Sequence, residues 1–164
     1  GLPMMLFNII LAPFWSAITE ANAKGDGGWI KKTMKKLLLV STLFSFGIIL
    51  MLILSNFAYG IWLGNLVSIP FKLSAIMAVY SILVVFFSPF SYFINGVGKL
   101  AIGMRVVSMK ILFFLPVAIY FTQLWGAIGL ILSLIIVNLI PTAIFEPRQY
   151  YLIINKKANG VWNR

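Results

Sequence analysis

Long runs of apolar residues without a charge divide this chain into segments of membrane-spanning length. A helix needs about 20 apolar residues to cross roughly 30 Å of hydrocarbon. The uncharged runs cover residues 2–19, 37–71, 73–98 and 111–145, and the last of them is long enough for two helices. We therefore predict spanning helices at about 2–21, 30–59, 68–96, 99–122 and 125–146, followed by a tail at 147–164.

Glycine, asparagine and proline mark the turns between these predicted helices. The second and third helices are separated by Gly60, Gly64, Asn65 and Pro70. The next two turns are predicted at residues 95–98 and at 125–126. Four further prolines fall inside the spans, where neighbouring helices can satisfy the freed carbonyls, and we expect kinks there. They are Pro13, Pro89, Pro116 and Pro141.

Composition agrees with the apolar pattern. Hydrophobic residues make up 62% of the 164 residues and charged residues 10%, whereas a soluble domain has about 25% charged residues. The fold predicted is an all-α polytopic transmembrane bundle forming one domain, with membrane lipid as a partner. The chain has no Cys and no His, which excludes disulfides, Cys/His zinc sites and catalysis by a thiol or imidazole. We predict no metal, no cofactor and no enzyme activity.

The basic residues predict the orientation of the bundle. The net charge is +10, but the charges separate apolar runs and form no patch, so no nucleic-acid partner is predicted. The five helices place 12 of the 13 Lys and Arg residues on one side and Lys72 on the other. By the positive-inside rule, the first loop and the C-terminus are then cytoplasmic. The twelve are Lys24, Lys31, Lys32, Lys35, Lys36, Lys99, Arg105, Lys110, Arg148, Lys156, Lys157 and Arg164.

The first loop has the composition of a membrane-surface segment. Asp26 is placed to cap the amides that begin the second helix. We interpret the aromatic and basic residues that follow as anchors at an anionic leaflet, and specific lipid recognition is the alternative. These anchors are Trp29, Lys31, Lys32, Lys35 and Lys36.

Two polar stripes run along predicted helices. At 100° per residue, one face of the third helix carries Ser74, Ser81, Ser88, Tyr92 and Asn95. This stripe predicts either the wall of an aqueous cavity or ordinary packing between helices, in which Ser and Asn pair. A smaller stripe on the first helix holds Asn8, Trp15 and Thr19.

Lys110 is the most informative single residue. The fourth helix must enter the membrane near Arg105 to be long enough, which places Lys110 inside the membrane. Its ammonium group either extends back to the surface or faces a water-filled lumen and attracts an anionic substrate. Lys99 is predicted on the same face, and Arg105 on another.

The fifth helix carries two further features of the predicted pathway. Asn138, Pro141 and Thr142 indicate a kink that opens on the cavity. Glu146 falls at the predicted end of this helix, so no span has a carboxylate near its centre. No proton or sodium relay is therefore predicted.

Three stretches resemble a known family. They are APFWSAITEANAKGDGGWIKKTMKK at 12–36, SYFINGVGKL at 91–100 and PRQYYLIINKKANGVWNR at 147–164. In this order they resemble Wzx-like oligosaccharide flippases of the multidrug/oligosaccharidyl-lipid/polysaccharide exporter superfamily. Such proteins have two six-helix bundles and end in the cytoplasm. The resemblance implies that this chain is most of the second bundle, a C-terminal fragment of a longer protein of the bacterial cytoplasmic membrane.

The resemblance also implies a function and partners. The function is movement of polyprenyl-diphosphate-linked oligosaccharide, such as an O-antigen unit, to the outer face by alternating access. The partners are that substrate, the missing N-terminal half, and the polymerase and assembly proteins of surface polysaccharide synthesis. The alternatives are a multidrug or cation-coupled exporter of the same superfamily, a membrane-embedded polyprenyl-phosphate transferase, and an inactive truncated chain.

Overall fold

The computed structural model of the chain describes residues 2–63 and 69–163, and helices account for almost all of them. No strand occurs within these two ranges. The elements are α1 (Leu2–Ala23), α2 (Gly27–Ile53), α3 (Ser55–Leu63), α4 (Phe71–Val97), α5 (Ala101–Trp125), α6 (Ala127–Ser133), a π-helical segment (Leu134–Leu139), α7 (Ile140–Ile154) and a 3₁₀ turn (Gly160–Asn163).

Within the described ranges, five helical stretches are long and apolar enough to cross a membrane. Four of them are α1, α2, α4 and α5, and the fifth is the continuous stretch Ala127–Ile154. The predicted class, an all-α polytopic bundle with about five spanning helices, is confirmed. Several predicted helix ends differ from those of the structure.

The start of α2 confirms the predicted cap. The Asp26 carboxylate accepts a hydrogen bond of 2.8 Å from the amide of Trp29, so α2 begins at Gly27 instead of residue 30. The predicted second helix, 30–59, was wrong at its other end. Leu54 has ψ near 0°, which ends α2 after Ile53 and separates it from α3. Gly60 lies inside α3, and the predicted turn residues Gly64 and Asn65 lie outside the described residues.

The junction of α4 and α5 lies where the glycines predicted it. Gly98 has φ of +75°, a left-handed conformation that glycine adopts without a steric cost, and it ends α4 after Val97. The chain turns through Lys99 and Leu100 before α5 begins at Ala101. The predicted fourth helix, 99–122, is therefore shifted toward the C-terminus.

The predicted end of the fifth helix at residue 146 was wrong, because α7 continues to Ile154. Gln149 is almost fully buried, and its side-chain amide donates a 2.9 Å hydrogen bond to the backbone carbonyl of Lys99. Tyr150 packs edge-on against Phe93, with ring centroids 4.9 Å apart. These contacts hold the last turns of α7 on α4, so residues 147–154 belong to the bundle and not to a tail.

The helix α4 is the centre of the molecule, because α1, α2, α6 and α7 all pack against it. At its crossing with α1, the carbonyl of Gly96 accepts a 2.9 Å hydrogen bond from the Thr19 hydroxyl. A Cβ at Gly96 would lie 2.8 Å from the Ile18 side chain, so the crossing needs glycine. Close packing of this kind is what joins helices in lipid, where there is no hydrophobic drive to associate.

Candidate functional site

A polar cavity lies at the junction of α4, α5 and α7. Its volume is about 560 Å³. Seven polar side chains line it among apolar ones, and we call it the polar cavity: Ser91, Asn95, Ser108, Lys110, Thr142, Glu146 and Gln149. The C-terminal end of α4, the N-terminal half of α5 and the middle of α7 supply these residues. All three helices are membrane-spanning stretches, so the cavity places ionic groups where lipid would penalise them.

Lys110 faces this cavity and is half-buried. It lies about 14 Å along α5 from Ala101, at 1.5 Å per residue. Its ammonium group donates a 2.6 Å hydrogen bond to the Thr142 hydroxyl, which donates in turn to the carbonyl of Asn138 at 2.9 Å. The ammonium group is therefore held across the cavity against α7.

Glu146 is the residue that sequence reasoning missed. Because α7 continues to Ile154, Glu146 lies within the spanning stretch Ala127–Ile154 and lines the polar cavity. The sequence prediction concerned the centres of the spans, and Glu146 lies toward the C-terminal end of this one. The Ser91 hydroxyl donates a hydrogen bond of 2.5 Å to its Oε2 atom. Lys110 is near enough for the two charges to interact, but they form no direct ion pair among the described contacts.

The predicted stripe on α4 splits between different surroundings. Asn95 lines the polar cavity, and it is joined by Ser91, which the stripe did not include. Ser81 and Ser88 do not line it, and each donates its hydroxyl to the carbonyl four residues earlier. Tyr92 packs against Trp15 of α1, with ring centroids 6.2 Å apart, so this part of the stripe is a helix–helix contact.

Ser74 and the stripe on α1 also lie away from the polar cavity. Ser74 shares a 3.2 Å hydrogen bond with the Tyr59 hydroxyl of α3. Trp15 and Thr19 contact α4, as described above, and Asn8 is exposed on α1. The spacing of the serines did not distinguish a cavity wall from helix packing, because a serine within a helix can donate its hydroxyl to a backbone carbonyl of the same helix.

The remaining pathway residues are placed as follows. Lys99 was predicted to share a helical face with Lys110, but it lies before the start of α5 and belongs to no face of that helix. Its ammonium group donates a hydrogen bond to the side chain of Asn163. Arg105 is exposed and does not line the polar cavity, as predicted. Asn138 contributes its carbonyl to Thr142 but does not line the cavity, and the irregular backbone expected near Pro141 is present as the π-helical segment.

The π-helical segment has a physical cause. Pro141 has no N–H to donate to the carbonyl four residues earlier, and its ring clashes with that carbonyl. Widening the preceding turn to a π-helix relieves this conflict, and such turns are frequent at functional sites. The widened turn lies directly before Thr142, which anchors Lys110.

The predicted anchor residues surround the start of α2. Trp29 and all four lysines are exposed. Three of the lysines line a second cavity, of about 430 Å³, which we call the basic groove: it comprises Gly28, Lys31, Lys32, Lys35, Tyr150, Ile154 and Asn155. Lys36 does not line it. In the preceding loop, Lys24 donates a 2.5 Å hydrogen bond to Glu20, and this bond raises the pKa of Lys24.

Comparison of the chain with models of protein families, with curated proteins and with solved structures gives no match. The candidate site is therefore defined by its own geometry. It combines an ammonium group, a carboxylate, three hydroxyls and two amides in a cavity formed by membrane-spanning helices. Such a site can bind a charged or strongly polar group that lipid alone would exclude.

Proposed function

We propose that the chain is part of a transporter that moves polyprenyl-diphosphate-linked oligosaccharide across the bacterial cytoplasmic membrane. The observation that carries this proposal is the position of Lys110. It is a cation on a membrane-spanning helix, it lines the polar cavity, and it has no direct ion pair among the described contacts. A diphosphate gains much more from a cation in a low-dielectric cavity than it does in water. The resemblance of residues 12–36, 91–100 and 147–164 to Wzx-like flippases supports the same substrate class.

The lining of the polar cavity fits a substrate with an ionic head and an apolar chain. Besides its seven polar side chains, the cavity has apolar walls that include Leu100, Val107 and Phe145. Its volume is within the range of about 300–1,000 Å³ that is usual for small-molecule sites. We infer that it holds the diphosphate and the first sugar, and that the rest of the oligosaccharide extends toward a second bundle outside this chain.

The charge pattern supports an orientation for this transporter. Among the described residues, the basic side chains concentrate at the end of the bundle where α1, α4 and α7 end and α2 and α5 begin. By the positive-inside rule we place this end, and with it the C-terminus, in the cytoplasm. The polar cavity then lies toward the cytoplasmic side, where a lipid-linked sugar unit is loaded.

A matched pair of substitutions on α5 tests the proposal. In the full-length transporter in vesicles, Lys110→Gln should slow the movement of a fluorescent polyprenyl-diphosphate-linked sugar to the opposite leaflet by about ten-fold or more, equivalent to about 1.4 kcal/mol of lost attraction. Lys110→Arg should keep part of the rate. Arg105→Gln removes the same charge from outside the cavity and should leave transport unchanged; equal transport by the Lys110→Gln and Arg105→Gln proteins would contradict the proposal.

A second candidate, a cation-coupled exporter, is favoured by Glu146. A carboxylate within a spanning stretch is the group that proton and sodium relays use. Glu146 lines the polar cavity and is held by Ser91 at 2.5 Å, which are the features that such a relay requires. The two candidates differ in what the carboxylate does: in an exporter it carries the coupling cation, and in a flippase it compensates Lys110.

A further inference from the structure

The basic groove is a second charged site, separate from the polar cavity. It lies between the first turns of α2, which supply Lys31, Lys32 and Lys35, and the end of α7, which supplies Tyr150 and Asn155. Lys31 and Lys35 are four residues apart and therefore share one face of the helix. No residue of the groove belongs to the polar cavity.

Among the described residues, no carboxylate pairs with the lysines of the basic groove. The chain contains three acids, and each is engaged elsewhere. Glu20 pairs with Lys24, Asp26 accepts the hydrogen bond from the Trp29 amide, and Glu146 accepts from Ser91 in the polar cavity. Three positive charges around one groove repel one another, so an anion from outside the chain would stabilise the arrangement.

The opposite wall of the groove has a different character. The Tyr150 hydroxyl has no hydrogen-bond partner among the described residues, while its ring packs against Phe93. Ile154 adds an apolar surface beside it. The Asn155 side-chain amide donates one hydrogen bond to the carbonyl of Tyr151 and retains a second N–H. The wall thus offers polar donors next to an apolar surface.

The groove lies where membrane lipid presents phosphate. It is formed at the beginning of one spanning stretch and the end of another, the level at which a bilayer changes from hydrocarbon to headgroups. Clusters of four or more basic residues beside a spanning helix attract anionic lipids. Lys31, Lys32, Lys35 and Lys36 form such a cluster, and three of them line the basic groove.

We propose that the basic groove binds a phosphate group, with Lys31 and Lys35 as its main ligands and Tyr150 and Asn155 as additional donors. The phosphate comes from the headgroup of an anionic phospholipid or from free phosphate in the cytoplasm. The apolar wall formed by Ile154 and the Tyr150 ring favours the lipid. This inference goes beyond the transport proposal and does not depend on it, because it uses no residue of the polar cavity.

Two adjacent lysines provide a matched test. Lys35 lines the groove and Lys36 does not, yet both are exposed on α2 and their substitution by Gln removes the same charge. The full chain in a neutral detergent is titrated with dioleoylphosphatidylglycerol, and retained lipid is counted by native mass spectrometry. Dioleoylphosphatidylcholine, which has no net charge, is the reference lipid.

If the basic groove binds phosphate, the wild-type protein should retain phosphatidylglycerol in preference to phosphatidylcholine. Lys35→Gln should weaken this retention about five-fold, the effect of one lysine near an anionic surface, and Lys36→Gln by less than two-fold. The double substitution Lys31→Gln/Lys35→Gln should remove the preference. Equal losses in the Lys35→Gln and Lys36→Gln proteins would overturn the proposal, since they would show only diffuse attraction to charge; so would equal retention of the two lipids by the wild-type protein.

A competition arm distinguishes the two sources of phosphate. If millimolar inorganic phosphate displaces the lipid from the wild-type protein, and displaces it less effectively from the Lys35→Gln protein, the site recognises phosphate alone. If inorganic phosphate does not displace the lipid while the Lys35-specific preference persists, the site requires the lipid. Unchanged circular dichroism of the variants checks that the helices are intact.

Discussion

Lys110 and Glu146 offset one another within the membrane-spanning part of the chain. Each charge alone would be costly in a spanning helix, and each also has a hydroxyl partner, Thr142 for the ammonium group and Ser91 for the carboxylate. Because no direct ion pair joins them, an anion can approach Lys110 without first breaking a salt bridge. We propose that Glu146 then sets how strongly the polar cavity attracts that anion.

This role predicts the effect of Glu146→Gln. Removing the carboxylate charge should tighten the binding of geranylgeranyl diphosphate to the detergent-purified chain by about ten-fold, equivalent to about 1.4 kcal/mol, because the attraction of Lys110 is no longer offset. Ser91→Ala keeps the charge and should change the affinity much less. The affinity is measured by calorimetric titration.

The opposite result would favour the second candidate function. If Glu146→Gln leaves the affinity for the diphosphate unchanged but abolishes transport driven by a proton or sodium gradient, Glu146 carries the coupling cation. The calorimetric titration of the Lys110→Gln protein separates the two functions, since this substitution should weaken diphosphate binding only if the cavity binds that anion.

For the helices, the sequence predicts the positions, caps and turns that neighbouring residues determine. It misses the helix end that depends on a contact with a distant segment. The lengths of the apolar runs, the Asp26 cap and the turns at Gly98 and Gly126 follow from neighbouring residues, and all are present. The extension of α7 was missed because it rests on the hydrogen bond between Gln149 and the Lys99 carbonyl, which joins segments 50 residues apart. The positions of Glu146 and Gln149 in the candidate site follow from that extension.

The close packing of α5 and α6 predicts that a substitution at Gly129 lowers the stability of the bundle. Gly129 approaches α5 so closely that a Cβ there would lie 1.9 Å from the carbonyl oxygen of Phe121, a backbone atom that cannot simply rotate away. Gly129→Ala should therefore lower the free energy of unfolding in sodium dodecyl sulfate by about 1–3 kcal/mol, the usual cost of overpacking. The loss of helical circular dichroism is the measurement.

Gly47→Ala is the control for this substitution. Gly47 also lies within a spanning helix, but a Cβ there would meet nothing within 4 Å. Its replacement should leave the stability unchanged or slightly higher, because alanine favours the helix. Equal destabilisation by the two substitutions would show that the close approach of α6 to α5 is not what Gly129 provides.

For the molecule as a whole, the structure is a five-span bundle with a charged site toward one end. The helices α1, α2 and α4 form its apolar core, and α5 and α7 complete the polar cavity against α4. Both the polar cavity and the basic groove include residues of α7. The same extended helix therefore positions the proposed substrate site and the proposed phosphate site.

The proposed function requires that Lys110 faces water within the membrane, and the chain is suited to a direct test because it contains no cysteine. Lys110→Cys and Ile111→Cys place one thiol in the polar cavity and one on the neighbouring outer surface, where Ile111 is 72% exposed. In inside-out membrane vesicles, which expose the cytoplasmic face, the rates at which the two thiols react with a small charged methanethiosulfonate are compared. Because the thiolate reacts and requires water, the Lys110→Cys protein should react at least about ten-fold faster than the Ile111→Cys protein. Equal rates, or faster reaction of the Ile111→Cys protein, would contradict a water-filled cavity at Lys110.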